Sequence, residues 1–207
     1  RLGYAPAGRT ALKDFLITKG AKPGELVETG LLIAPEEGGA PYDRFRERII
    51  FPITDQRGRV ISFGGRAMDP NARAKYLNGP ETSIFSKSRI VYGIFQARQA
   101  IIKEDRCYLV EGYTDVLSMH ESGVENVVAS SGTALTQEQI RLIKRFTPNI
   151  TMLYDGDPAG MKASIRGTDM VLEEGMNVRI VMLPDGEDPD SYSKKTSDEE
   201  FRRFLKE

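Results

Sequence analysis

Three short acidic clusters hold the residues that could do chemistry, and each follows an apolar run. Glu111-Gly112, with Asp115 close behind, follows CYLV; Asp155-Gly156-Asp157 follows ITMLY; Asp185-Gly186-Glu187-Asp188-Pro189-Asp190 follows VRIVML. Carboxylates gathered in one place raise each other's pKa and oppose ionisation unless cations neutralise them. The fitting cation is a hard one: magnesium takes oxygen ligands in octahedral geometry, keeps several waters, and is shared between one or two protein carboxylates and substrate phosphates. Asp155 and Asp157 flank a glycine that permits a tight turn, and Asp188 and Asp190 repeat that spacing around a stiffening proline. Alone, any one cluster reads as an ordinary turn, where Asp and Gly are favoured. Together, after three strand-like runs, they point to a metal site.

The elements that must position these acids are legible as a pattern. From residue 105 onward, CYLV, NVVAS, ITMLY and VRIVML are short runs rich in Val and Ile, separated by helix-length segments. That alternation predicts a parallel sheet covered on both faces, with ligands bound beyond the carboxyl ends of its strands. The helix before ITMLY is signed by Thr136 as cap, Gln139 three residues on, and the apolar stripe Ile140, Ile143 and Phe146. Gly175 suits the end of a helix beginning near Ala159. No glycine-rich loop follows the first strand, which argues against an ordinary dinucleotide site.

The first half reads differently. ALKDFLITKG places Leu12, Phe15 and Leu16 at helical spacing and ends on Gly20. RIIFPITD and RGRVISFGGRA, joined through Gln56-Arg57-Gly58, form a predicted hairpin. Charge divides along the same line although the net is only -1. Residues 1–40 are neutral, 41–103 hold twelve basic against five acidic residues, and 104–207 hold twelve against twenty. One part is suited to polyanions and the other to cations.

Cys107 is the only cysteine, so no intrachain disulfide forms, and no Cys/His cluster has zinc-site spacing. No apolar run approaches the roughly 20 residues that span a bilayer, and RLGYAPAGRT lacks the core of a secretion signal. The expectation is a cytoplasmic protein without a membrane partner, read here as an excised fragment because no initiator Met is present. His120 and Cys107 are assigned structural roles.

E-G-x-x-D, D-G-D-x-A-G and G-E-D-P-D after successive strands resemble the Toprim domain, in the version found in DnaG-type bacterial primases. The first two motifs are shared with topoisomerases, recombination mediators and some nucleases. YDRFRERIIFPITDQRGRVISFGGR and AKYLNGPETSIFSKSRIVYG are the primase-specific part. The resemblance runs from Leu2 to about Leu205 and implies an α/β fold: a Toprim parallel sheet flanked by helices, preceded by a mixed α+β subdomain. The expected divisions are a basic N-terminal subdomain over 1–104, a Toprim metal-binding domain over 105–193, and the start of a truncated helical segment over 194–207.

The resemblance further implies synthesis of RNA primers from ribonucleoside triphosphates on single-stranded DNA, with two or more Mg2+ or Mn2+ ions and no zinc in this stretch. It implies metal positions at Glu111, Asp115, Asp155, Asp157, Asp188 and Asp190, with catalysis at Glu111, Asp155 and Asp157. Glu111 is open to either role, general acid/base or ligand. Arg44, Arg46, Arg66, Lys75, Asn78 and Lys87 are the implied nucleic-acid or nucleotide positions, since Arg offers phosphate a planar fork and Lys a point charge. A replicative helicase would bind through a C-terminal domain lying outside this chain. The family's tryptophan after A-P-x-G is replaced here by Arg9. The alternative reading is another Toprim enzyme, or an inert Toprim nucleic-acid-binding module.

Overall fold

A computed structural model describes residues 1–206 apart from Thr133 and Asp157, and gives the backbone alone for residues 155, 156, 158–163 and 185. In the first half, β1 (Gly3–Ala5), α1 (Ala11–Thr18), α2 (Pro23–Glu28), β2 (Leu32–Ile33), β3 (Tyr42–Asp43), β4 (Arg48–Thr54), β5 (Val60–Ala67) and β6 (Tyr76–Asn78) follow in order. The sheet runs β1-β4-β5-β6 with every pairing antiparallel, and β2 pairs with β3 separately. The expected hairpin is β4–β5, and Gly58 at its tip has φ +81°, a conformation that L side chains rarely adopt. The amphipathic α1 is present, yet its own cap residue supplies no side-chain bond. Instead the buried carboxylate of Asp43 accepts the N–H groups of Leu12 (2.7 Å) and Lys13 (3.0 Å), satisfying helix donors from some thirty residues away. The Arg9 guanidinium lies 4.7 Å from the Tyr42 ring centre, and Arg46 lies 5.4 Å from it.

The second half holds α3 (Ile94–Glu104), β7 (Cys107–Val110), α4 (Tyr113–Glu121), β8 (Val127–Ala129), α5 (Gln137–Lys144), β9 (Asn149–Gly156), α6 (Pro158–Glu173), β10 (Asn177–Asp185), α7 (Pro189–Lys195) and α8 (Asp198–Phe204). Its sheet has the order β10-β9-β7-β8, all parallel, and buries both faces. Successive strand residues point to opposite faces. Cys107, Leu109, Ile150 and Met152 therefore pack with Ile94, Ala97 and Ile101 of α3, Ile140 and Ile143 of α5, and Val171 of α6. Tyr108, Val110, Leu153 and Val181 pack with Val116 and Met119 of α4 and with Phe201 and Leu205 at α8. The predicted capping box is in place, with Gln139 N–H donating to the Thr136 hydroxyl and Thr136 N–H donating to Gln139 Oε1, both 3.2 Å. Burial pushes the Cys107 thiol pKa upward, so this cysteine is an inert core residue, and His120 is exposed.

Arg1–Thr54 with Arg59–Ser86 form one compact unit, and Asp55–Gly58 with Lys87–Glu207 form the other. The second unit thus takes in the chain from Lys87 onward. The reason is α3, whose apolar stripe is fully buried in the core of the parallel sheet. Residues 194–207 likewise belong to the second unit, since Phe201 and Leu205 are almost wholly buried there; each such side chain contributes about 1.5–3 kcal/mol relative to exposure.

Candidate active site

Strand order decides which acids meet. β9 lies between β7 and β10, so the carboxyl ends of these three strands share one edge of the sheet. Leu109 pairs with Met152, which carried two residues further brings Glu111 level with Tyr154. Asp155 is the next residue of β9, and Asp185 of β10 pairs with Gly156. The side chains of Asp155 and Asp185 lie outside the described residues, as do the Lys162 side chain and Asp157 altogether. The Tyr154 hydroxyl registers the charge at this edge: burial, and then the nearby Glu111 carboxylate, push its pKa up to about 12.

The loop after β8 closes the same edge, although the sequence reading passed over it. Ser130 N–H donates to the Val110 carbonyl (3.2 Å) and Ser131 N–H to the Glu111 carbonyl (3.0 Å). Ser131 has φ +60°, a strained conformation for a residue with a Cβ. The run of small residues Ser130-Ser131-Gly132 directly after NVVA was the available signal.

The remaining acids are tied to helix starts. Asp115 is buried in the first turn of α4, and its Oδ2 accepts Gly112 N–H (2.8 Å), which fixes the backbone beside Glu111. Asp188 caps α7, its Oδ1 accepting Ser191 N–H (2.6 Å). Asp190 accepts from the Ser118 hydroxyl of α4 and pairs with Lys194 at 2.7 Å, joining α7 to α4. Bonds from Lys195 and then Ser191 hold the Glu187 carboxyl below its ordinary pKa.

The basic positions divide by role. In the first unit, Arg66 and Tyr76 are paired on β5 and β6, with Asn78 two residues along on the same face. Arg66 and Lys75 lie 5.9 and 6.0 Å from the Tyr76 ring centre. Arg48, not singled out from sequence, donates to the carbonyls of Ala74 (3.0 Å) and Lys75 (3.3 Å) and so holds the segment that carries Lys75. Arg44 donates through Nε to the Gly30 carbonyl (2.9 Å), and burial lowers its pKa. Phe63 lines an apolar cavity with Phe45 and Ile50. Lys87 belongs to the second unit, where its carbonyl accepts the Gln139 amide (3.0 Å).

Among the described residues, no group of three or more His, Cys, Asp or Glu could hold a metal ion. The donor chemistry at the edge still suits a hard cation, because Glu111, just past the end of β7, and Asp155 of the adjacent β9 are residues with carboxylate oxygen donors alone.

Residues 1–98 match the family described as the DNA primase catalytic core, N-terminal domain, and residues 108–193 match the Toprim-like family. The RNA polymerase domain of Mycobacterium tuberculosis primase DnaG superposes with a TM-score of 0.90 at 34% identity, the alignment covering 99% of this chain and 69% of that one. The chain belongs to the DnaG-type primase catalytic-core family. A DNA primase of Clostridium acetobutylicum is 44% identical over 205 residues, covering 99% of this chain and 34% of that protein. A DnaG primase catalytic domain solved bound to single-stranded DNA is 41% identical, with a TM-score of 0.88 over 99% of this chain and 66% of that one. The chain thus spans about a third of the length of the curated primases it matches. Toprim primases are in general metal-dependent enzymes.

Proposed function

We propose that this chain is the nucleotidyl-transfer core of a replicative primase, which joins ribonucleoside triphosphates into a short RNA on a single-stranded DNA template. The observation that carries this reading is the adjacency of β10, β9 and β7, which delivers Glu111, Asp155 and the Asp185–Asp190 loop to one edge of a sheet. The 41% identical catalytic domain bound to single-stranded DNA supports the template class.

Glu111, Asp155 and Asp157 would hold Mg2+ or Mn2+, with Asp115, Asp188 and Asp190 around them. When bound, such cations acidify the attacking 3'-hydroxyl and neutralise charge on the triphosphate. The rest is positioning by the chain itself. Asp115 locks the Gly112 backbone and so aims Glu111. Ser118 and Lys194 fix Asp190, and Asp188 anchors the start of α7. Arg46, Arg66, Lys75, Asn78 and Lys87 would guide phosphates, while the half-buried bond of Arg44 to Gly30 gives that residue a supporting part.

The test is primer synthesis by the complete polymerase domain with single-stranded template, labelled ribonucleotides and Mg2+ or Mn2+. Asp155→Ala should abolish product while leaving the circular dichroism spectrum and melting temperature near those of the parent. Primers made by the variant at the parental rate would contradict the reading.

A further inference from the structure

The opposite edge of the parallel sheet carries a second concentration of charge, of the other sign. The amino ends of β7, β8 and β10 and the carboxyl ends of α3, α4 and α8 surround a cavity of about 790 Å3, within the range of small-molecule sites. Five cations line it: Lys103, Arg106, Arg179, Arg202 and Lys206. Only two acids do, Glu104 and Glu125, and Glu104 is 3.9 Å from Lys103. This excess of positive charge stands in the half of the chain that is otherwise strongly acidic.

Helix ends account for part of the cluster, because carboxyl termini attract cations. Arg202 donates to the Ser122 carbonyl at the end of α4 (2.6 Å), and Arg179 donates to the Lys206 carbonyl beyond α8 (3.1 Å). Each of these bonds uses one of five guanidinium donors and steadies the fork at the cavity. Arg106 and Lys206 are different: among the described residues their side chains make no hydrogen bond or ion pair, so no internal partner explains them. The floor is apolar, built from Tyr108, Val124 and Leu205, each less than a tenth exposed.

We propose that this cavity binds a compact polyphosphate of nucleotide size, with the phosphates on Arg106, Arg179, Arg202 and Lys206. A half-open cavity whose cations come from separate elements around one centre suits a short, highly charged anion better than an extended strand, which is held along a groove. The proposal does not depend on the reading of the acidic edge.

The test is an NMR titration of the 15N-labelled 207-residue chain with inorganic triphosphate in EDTA, following backbone amides and arginine Nε–H resonances. Saturable shifts are expected at Arg106, Arg179 and Arg202 and at residues 123–126. Arg106→Gln/Lys206→Gln should weaken the apparent affinity roughly tenfold, the loss of about 1.4 kcal/mol of charge-assisted bonding. Lys103→Gln/Lys206→Gln, which removes only exposed lysines and, of internal contacts, only the exposed Lys103–Glu104 pair, should weaken it several-fold. ATP in place of triphosphate should shift the same residues; added shifts at Tyr108 and Val124 would identify a nucleotide, and their absence a bare phosphate chain as the source. The proposal is overturned if these residues do not shift, if the variants titrate like the parent, or if only an oligonucleotide produces the shifts.

Discussion

At the residue scale, the acidic edge is a set of carboxylates with different tasks. Asp115 and Asp188 spend an oxygen on helix N–H groups, and Asp190 spends one on Ser118 and Lys194. Glu111 is exposed and lies near a buried phenol. Tyr154 reports on that environment. Its folded pKa of about 12 exceeds the ordinary value of 10, so its contribution to stability is complete below pH 10 and is lost as pH rises towards 12. Melting temperature should therefore fall across pH 10 to 12, and Tyr154→Phe should make the fall shallower. An identical profile for the variant would mean that the phenol does not feel burial and the Glu111 charge as described. Tyr92, pushed to about 12 by burial alone, should account for part of the remaining slope.

At the element scale, helices are held to strands by close contacts that the apolar pattern does not display. Gly167 of α6 shows the point: a Cβ there would lie 2.5 Å from the Tyr154 hydroxyl and 3.3 Å from the Met152 sulfur. Gly167→Ala should cost about 1–3 kcal/mol by overpacking, measured by urea denaturation. Combining it with Tyr154→Phe should return much of that loss, because the closest atom is gone; strictly additive losses would show that α6 does not press on β9 at this contact. Strands and helices were legible because burial on two faces leaves short Val/Ile runs, and because a capping box is a local signal: CYLV and Thr136-x-x-Gln139 needed nothing else. The partners of long-range polar groups were not legible. Asp43 caps a helix some thirty residues away, and Asp190 meets Ser118 seventy-two residues away. An amphipathic stripe likewise does not say which sheet it will cover, and α3 packs on the parallel one.

At the scale of the whole molecule, the chain consists of two compact units, and the sequence carries its basic excess before residue 104 and its acidic excess after it. The carboxylate clusters were legible because a parallel sheet sends successive carboxyl ends to one edge. Strand order was not, since nothing local places β9 between β7 and β10. That order is what makes Glu111 and Asp155 neighbours and gives the acidic edge its claim to a divalent cation. The most direct measurement is calorimetric titration of the chain with Mn2+, alongside Glu111→Gln and Asp155→Asn. Saturable binding by the parent, weakened at least tenfold in each variant with the fold retained, is the predicted result. Equal binding by all three proteins would contradict the account.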